Sequence, residues 1–292
     1  MAVPGSASEV PVVLRNADGD EAAISLTGAQ LLSWTPVGAG EQIYLSPVPR
    51  AAPGAPVRGG APVCFPQFSD RGPLPKHGFA RTRQWQLVVP PAPKAPVAEA
   101  RFQLDSVMTT TRWAHPFCLV LVVRLGPKWL ELELQAANTG RTAFDFTGAL
   151  HTYFAVGDVR QAAVRGLQGL VYEDQVDANR LKMETQTEVR IAGEVDRVYH
   201  RVPGPLHIEG GGPARRIVQQ GFPDAVVWNP GPAKAAQLAD LPAADWTRML
   251  CVEAAVVEQP VSLAPGKTWR GWQRLELPQA DGFDPAQATP VA

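Results

Sequence analysis

Prolines interrupt this sequence at short intervals along its whole length. The chain has 29 prolines among 292 residues, about twice the ~5% that is usual in proteins. Because proline fixes φ and lacks an N–H, it breaks long helices but is tolerated in turns and at the ends of short strands. The sequence therefore predicts many short strands, with short helices at residues 233–238 and 243–249.

Alternation of apolar and polar residues supports an all-β fold. In the segment 129–138, three leucines at even positions alternate with two glutamates and a glutamine, which is typical of a strand with one face buried and one face in water. Strands are expected at residues 12–15, 22–26, 29–35, 42–45, 85–89, 101–105, 117–125, 129–138, 142–151, 164–167, 187–191, 197–202, 206–209, 215–220, 225–228, 249–255, 261–263 and 268–277. The polar segment that runs on to residue 188 shows no further strand pattern, and the Pro/Ala-rich segment 90–100 is predicted to be an exposed insertion.

The absence of alternating strands and helices indicates an antiparallel sandwich rather than an α/β fold. Although the chain exceeds the usual domain length of about 100–200 residues, sandwiches of roughly 250 residues commonly form one domain. We therefore predict a single large antiparallel β-sandwich domain over residues 11–278. Flexible ends are expected at residues 1–10 and 279–292.

Charge and cysteine content narrow the possible partners and compartment. The net charge is −1, so no overall positive field would attract nucleic acid or an anionic membrane. Neither a secretory signal nor a run of about 18 apolar residues is present. The three cysteines include no C-x-x-C pair, which favours reduced thiols in the cytoplasm. We expect a monomer with no nucleic-acid or membrane partner.

One stretch, residues 58–85, combines the side chains that a small-molecule site needs. It reads RGGAPVCFPQFSDRGPLPKHGFARTRQW, and its glycines and prolines predict a shaped loop. Guanidinium groups bind phosphate or carboxylate in a bidentate way, and aromatic rings between them supply apolar walls. We expect this stretch to bind a polyhydroxylated anion; a solvated basic loop with a few core aromatics is the alternative. The polar side chains in question are Arg58, Gln67, Arg71, Lys76, His77, Arg81 and Arg83.

Two residues elsewhere are candidates for acid–base chemistry. His151 follows an apolar strand and opens the string HTYF, whereas Glu253 lies in the apolar run LCVEAAVV. Burial of a carboxyl in such a run would raise its pKa. The alternatives are a structural histidine and a glutamate that faces outward. Zinc, nucleotide-binding, Ca²⁺ and serine-nucleophile motifs are missing, so neither a metal nor a cofactor is predicted.

Several strings in order resemble one family over residues 12–277. They are RGGAPVCFPQF, LPKHGFAR, ALHTYFAVGDV, GLQGLVYED, EVDRVY, DAVVWNP and MLCVEAA, and they are similar to sequences of the hexose-6-phosphate mutarotases. This family belongs to the aldose 1-epimerase (galactose mutarotase-like) superfamily. The resemblance implies a galactose mutarotase-like supersandwich and an isomerase that interconverts the α and β anomers of hexose 6-phosphates, glucose 6-phosphate first.

The resemblance also implies catalytic roles for two residues. His151 is expected to be the acid that protonates the ring oxygen, and Glu253 the base that takes the proton of the anomeric hydroxyl. No cofactor is needed for hemiacetal opening, and each positioned proton transfer typically contributes ~10²–10⁴ in rate. Mutual attraction would favour a protonated His151 beside an ionised Glu253.

The remaining predicted site residues would bind substrate. By resemblance, Arg58 and Arg81 are binding arginines, His77 lines the site, and Asp196 accepts hydrogen bonds from sugar hydroxyls. From the sequence alone, a partner for Arg197 or a turn residue explains Asp196 equally well. Lys76 stands where glutamine is common in the family, so its contact with phosphate stays open. Asp240 and Trp228 also match family features, but a helix cap and a core tryptophan explain them equally well.

Two other functions remain open from the sequence. A non-catalytic sugar-binding sandwich would use the same arginines and aromatic residues but would have no use for a buried acid at Glu253. A glycoside hydrolase would need two carboxylates across the glycosidic bond, and Asp196 with Glu253 is the pair available.

Overall fold

The described residues of the chain form three antiparallel sheets. The computed structural model describes residues 10–49, 55–108 and 113–278. Within them lie β1 (Val12–Arg15), β2 (Glu21–Ile24), β3 (Leu31–Thr35), β4 (Val63–Cys64), β5 (Gln86–Val89), β6 (Ala98–Asp105), β7 (Phe117–Gly126), β8 (Trp129–Asn138), β9 (Phe144–Leu150), β10 (Tyr153–Ala155), β11 (Ala163–Arg165), β12 (Val171–Asp174), β13 (Arg180–Met183), β14 (Glu188–Arg190), β15 (Val195–Tyr199), β16 (Leu206–Glu209), β17 (Arg215–Gln220), β18 (Asp224–Asn229), β19 (Met249–Leu263) and β20 (Thr268–Glu276). This architecture confirms the predicted all-β fold.

Helical structure is sparse in the described part of the chain. One short α-helix, α1, spans Gly231–Ala235. Single 3-10 turns or slightly longer 3-10 segments occur at Ala80–Thr82, Ser106–Met108, Val159–Gln161, Gln175–Asp177 and Ala243–Arg248. None of the helices in the described ranges has the length and apolar character that crossing a membrane would require.

The strands are distributed over sheets of three, eight and nine strands. The smallest sheet has the order β1-β2-β3, and the nine-stranded sheet has the order β14-β11-β16-β17-β20-β8-β7-β6-β5. The eight-stranded sheet has the order β13-β12-β15-β18-β19-β9-β4, with β10 paired to β19.

Alternate residues of the central strands serve two different apolar clusters. On β19, Leu250, Val252 and Ala254 belong to the main core, which also contains side chains from the nine-stranded sheet. Cys251 and Ala255 belong to a second cluster on the other face of the eight-stranded sheet. Because successive side chains of a strand point to opposite faces, one face of this sheet builds the core and the other is available for a site.

The structure corrects several expected strand boundaries. The polar segment before residue 188 contains β12 and β13, which form the edge of the eight-stranded sheet. Residues 42–45 form isolated bridges, Ile43 with Phe154 and Leu45 with Gly59, rather than a strand. The two strands expected at 249–255 and 261–263 are one strand, β19, with a register shift between Val256 and Val261.

The polar face of β8 is less exposed to solvent than the sequence pattern predicted. Glu131 is buried because Arg124 and Arg274 both pair with its carboxylate, at 2.7 Å in each case. The segment before β6 is largely exposed, as expected for an insertion in the β5–β6 hairpin.

The expected single domain over residues 11–278 stays a prediction. The expected flexible ends lie outside the described residues, apart from Val10.

Candidate active site

A pocket of about 300 Å³ lies on the face of the eight-stranded sheet that is turned away from the main core. This volume is at the lower end of the range of small-molecule sites. All seven residues predicted for the site line it: Arg58, Lys76, His77, Arg81, His151, Asp196 and Glu253. The other lining residues are Pro56, Val57, Pro62, Phe68, Ser69, Tyr153, Gln175, Val226, Trp228, Lys234, Leu238 and Asp240.

Strand register brings His151 and Glu253 together across 102 sequence positions. Leu150 lies opposite Ala254, and Tyr153 lies opposite Cys251. His151 therefore falls across from Glu253, and its Nδ1 lies 3.3 Å from the carboxylate Oε1. Cross-strand neighbours on one face are within side-chain contact, so the pair is a direct product of this register.

The pair is almost completely removed from water. Glu253 is 1% exposed, and burial, followed by the charge of Asp196, raises the pKa of its carboxyl well above the usual range. Burial also lowers the pKa of the His151 imidazole well below its usual range, with further lowering by His77, Arg58 and Arg81. Both shifts favour a neutral imidazole beside a protonated carboxyl, which opposes the ion pair that the sequence led us to expect.

Aromatic rings fix the orientation of the His151 imidazole. The ring stacks on Tyr153 with a centroid distance of 4.8 Å and an angle of 10°, and it meets the edge of Trp228 at 6.0 Å. His77 contacts it from another side at 5.4 Å. The three rings leave the imidazole little freedom to turn.

His77 is a neutral histidine whose tautomer is set by the backbone. Burial lowers its pKa to about 3, with further lowering by Arg81, Lys76 and Arg58. Its Nδ1 accepts a hydrogen bond from the Ser69 N–H at 3.2 Å. The ring proton is therefore on Nε2, which makes His77 a hydrogen-bond donor.

Arg58 is already balanced by protein groups. Its guanidinium pairs with Asp240 at 3.1 Å and donates to the Tyr153 hydroxyl at 3.1 Å. It also lies over the Trp228 ring at 5.7 Å. Asp240 is thus an ionic partner in the pocket wall rather than the helix cap that the sequence allowed, and Trp228 is both a wall residue and a core residue.

Arg81 and Lys76 are the less neutralised cations of the pocket. Arg81 donates from Nη2 to the Lys76 carbonyl oxygen at 2.9 Å, and within the described ranges it has no carboxylate partner and its Nε lacks a hydrogen bond. Among the residues that the structure describes, Lys76 pairs with Asp70 at 3.7 Å, and both side chains are more than half exposed. Both cations could therefore pair with an anionic ligand.

The loop that carries both cations is held by close backbone contacts. Gly78 has φ +70°, and a Cβ there would lie 2.2 Å from the Phe65 carbonyl oxygen. Gln67 bridges the loop through hydrogen bonds with Leu74 and Ser69. Arg71 pairs with Glu173 and does not line the pocket.

Asp196 lies at the opposite wall, on β15. Burial raises the pKa of its carboxyl to about 6, with Lys234 and Lys76 acting in the opposite direction. One of its oxygens accepts a hydrogen bond from the Gln175 amide at 2.9 Å. Lys234 is itself paired with Glu194 at 2.6 Å, so the second carboxylate oxygen of Asp196 is available to a sugar hydroxyl.

The lining residues that sequence reasoning did not assign include Tyr153, Gln175, Lys234 and Phe68. Tyr153 had a usable signal, since it lies two positions after His151 and therefore on the same face of the chain. Gln175 and Lys234 come from segments without a distinctive motif, a 3-10 turn and α1. Phe68 was noted only as an aromatic residue of the loop.

Comparison with known proteins establishes the family. The sequence model of the aldose 1-epimerase family matches residues 11–276. The chain is 38% identical over 272 residues to a Cenchrus ciliaris protein named "Putative glucose-6-phosphate 1-epimerase", covering 89% of this chain and 82% of that protein. It is 34% identical over 244 residues to an Escherichia coli K12 protein of the same name, covering 82% and 81%.

A solved structure gives the same result. The crystal structure of a "putative mutarotase" from Salmonella typhimurium superposes with a TM-score of 0.83 at 31% identity, covering 91% of this chain and 89% of that chain. The chain belongs to the aldose 1-epimerase family. It is an isomerase of the anomeric centre, and both the predicted family and the predicted galactose mutarotase-like fold are confirmed.

Proposed function

We propose that the chain interconverts the α and β anomers of hexose 6-phosphates, with glucose 6-phosphate as the first candidate, and that His151 and Glu253 are the catalytic pair. The observation that carries the proposal is the 3.3 Å separation of the imidazole Nδ1 and the carboxylate Oε1 in the pocket. The two oxygens that exchange a proton during anomerisation, O1 and O5, are bonded to the same carbon. An acid and a base this close together match that geometry.

The reaction requires only proton transfers and one C–O bond. Glu253 takes the proton of the O1 hydroxyl while the C1–O5 bond breaks, and His151 gives a proton to O5. The open aldehyde rotates about C1–C2, and closure returns both protons by the reverse steps. Positioned transfers of this kind each contribute ~10²–10⁴ in rate.

The number of protons that His151 and Glu253 hold together is the number that the reaction requires. A neutral imidazole beside a protonated carboxyl holds the same number of protons as an imidazolium beside a carboxylate. Burial favours the neutral form before substrate binds, whereas an O1 hydroxyl that donates to Glu253 and an O5 that accepts from His151 favour the ionised form. Substrate contacts therefore place the proton where the first step needs it.

The cation pattern supports a phosphorylated substrate. Arg58 and Lys234 already have carboxylate partners at 3.1 Å and 2.6 Å, so Arg81 and Lys76 are the groups best placed to neutralise a phosphate. Each charge-assisted hydrogen bond to such a group is worth ~1.5–3 kcal/mol. Arg58, His77 and Asp196 would then orient the sugar hydroxyls.

Anomer exchange measured by NMR tests the proposal. Glu253→Gln and His151→Asn should each lose at least ~100-fold in exchange rate, the contribution of one general acid or base. Arg81→Ala should raise KM for glucose 6-phosphate by at least ~10-fold, the value of one charge-assisted hydrogen bond, and leave exchange of free glucose unchanged.

Arg83→Ala is the matched control, because Arg83 lies two positions further along and does not line the pocket. Wild-type protein that exchanges glucose and its 6-phosphate equally well would contradict the phosphate assignment. Wild-type activity in Glu253→Gln would contradict the catalytic pair.

We further propose that this activity belongs to a cytoplasmic monomer. Cys64 and Cys251 are buried free thiols, and Cys118 is a half-buried one, which fits a reducing compartment. Size-exclusion chromatography with light scattering tests the oligomeric state, and fractionation of the source cells tests the location.

A further inference from the structure

The two catalytic candidates share their sheet face with a cysteine that the proposed reaction does not use. Cys251 is two positions before Glu253 on β19, so both side chains point to the same face. One donor atom from each of His151, Cys251 and Glu253 lies within 4.8 Å of the other two, and all three residues are buried. Cys251 also lies directly opposite Tyr153 and Trp228 in the neighbouring strands.

Two of the polar atoms in this cluster lack hydrogen bonds. Within the described part of the chain, neither His151 Nδ1 nor Glu253 Oε2 has a hydrogen-bond partner, although Glu253 is 1% exposed. Buried polar atoms are normally satisfied, and an exception calls for a role or a missing partner. A bound cation would satisfy both atoms at once.

The donor types select a particular kind of cation. An imidazole nitrogen, a thiolate sulfur and a carboxylate oxygen form a ligand set that zinc accepts, whereas Mg²⁺ and Ca²⁺ take oxygen ligands. Zinc bonds of about 2.0–2.3 Å put tetrahedral donors about 3.3–3.7 Å apart. The His151–Glu253 separation of 3.3 Å already fits, and the widest gap would need to close by about 1 Å.

The geometry points to an inhibitory zinc site formed by His151, Cys251 and Glu253. The ion would enter through the pocket that His151 and Glu253 line. It would displace the thiol proton of Cys251 and the carboxyl proton of Glu253, so that one thiolate and one carboxylate balance its two positive charges. It would occupy both groups that exchange protons with substrate. This inference rests on the proposed function for the inhibition, but not for the binding itself.

Zinc titration of three proteins tests the inhibitory role. Anomer exchange by wild type should be inhibited by micromolar free Zn²⁺, restored by a chelator and unaffected by Mg²⁺ at the same concentration. Cys251→Ser should keep its basal exchange rate, and its Zn²⁺ inhibition constant should rise at least ~10-fold, since even second-shell changes typically cost 10–100-fold in metal affinity. Cys118→Ser is the thiol control and should behave as wild type.

Cobalt binding provides a readout that does not depend on activity. Co²⁺ added to wild type should produce a thiolate charge-transfer absorption in the near ultraviolet, and Cys251→Ala should lack it. Because Cys251 is fully buried, circular dichroism is used to check that Cys251→Ser and Cys251→Ala both fold. If only one of them folds, that variant is used in both assays. A cobalt–thiolate band without any exchange activity would support the site and reject the proposed function.

Two outcomes would overturn the site. One is an equal zinc inhibition constant in wild type and in the folded Cys251 variant, which would place the inhibitory ion elsewhere. The other is a wild-type protein that binds Co²⁺ without a thiolate band.

Discussion

The buried carboxyl of Glu253 should make the enzyme less stable at neutral pH than the same chain with a neutral side chain at that position. Burial raises its pKa in the folded state, so protonated Glu253 favours the folded state and ionised Glu253 opposes it. The stability that protonation contributes is complete below the unfolded pKa of about 4.3. It is lost as the pH rises towards the folded pKa.

The size of the effect follows from the proton count. Above pH 4.3 the folded protein holds one proton at Glu253 that the unfolded chain has lost, and the unfolding free energy falls by about 1.4 kcal/mol per pH unit. Glu253→Gln carries no such proton. The difference in unfolding free energy between Glu253→Gln and wild type should therefore grow in favour of the variant as the pH rises from 5 towards the folded pKa, by at most about 1.4 kcal/mol per pH unit.

Equilibrium urea unfolding at pH 5, 6 and 7 measures this difference. Ionisable groups that do not contact Glu253 contribute equally to both proteins and cancel. His151 does contact it, but burial lowers its pKa in both proteins and keeps the imidazole neutral over this pH range. Asp145→Asn, on the exposed side of β9, is the control for removing one carboxylate outside the pocket. A difference that stays constant between pH 5 and pH 7 would refute the reasoning, because it would mean that folded Glu253 is ionised and paired with a charged His151.

Two further predictions concern the walls of the pocket. Asp196→Asn should raise KM by ~10–100-fold above pH 6 through the loss of charge-assisted hydrogen bonds. Below pH 6 the increase should be much smaller, because the Asp196 pKa of about 6 leaves the wild-type carboxyl protonated there. The ratio of variant to wild-type KM cancels titration of the substrate, and a ratio that does not change with pH would contradict the prediction. Gly78→Ala should destabilise the fold by more than the ~1–2 kcal/mol of a left-handed residue, because its Cβ would lie 2.2 Å from the Phe65 carbonyl oxygen. Gly38→Ala, with φ +77° and nothing within 4 Å of the added Cβ, should cost only the conformational part, and equal losses in urea unfolding would show that the contact with Phe65 is relaxed.

Pocket residues could be predicted where one short stretch of sequence supplies both the functional side chains and the glycines and prolines that shape the loop. The stretch 58–85 combines fixed glycines and prolines with cations, and the structure places Arg58, Lys76, His77 and Arg81 from it in one pocket. The apolar run around Glu253 likewise predicted its burial.

Contacts between distant strands could not be predicted in the same way. Nothing near His151 in the sequence indicates that Glu253 lies 3.3 Å away, because that contact depends on which strands pair and in which register. The same holds for Asp240, whose partner Arg58 is 182 positions away.

The missed strands have a different physical cause. On β13, Leu181 is 66% exposed and Met183 is 61% exposed, because this strand is the outer edge of its sheet. An edge strand with little buried surface does not need the alternation of apolar and polar residues that identifies β8. Its hydrogen bonds to β12 define it instead, and these leave no trace in composition.

The two faces of β19 also constrain how this enzyme can change over evolutionary time. Leu250, Val252 and Ala254 pack in the main core, whereas Glu253 lines the pocket on the opposite face. Sliding this strand by one residue would put the carboxylate into the apolar core and place Val252 or Ala254 at the position that lines the pocket. The even-numbered positions 250–254 are therefore constrained by core packing and Glu253 by the pocket, so insertions or deletions within this stretch should be rare among descendants.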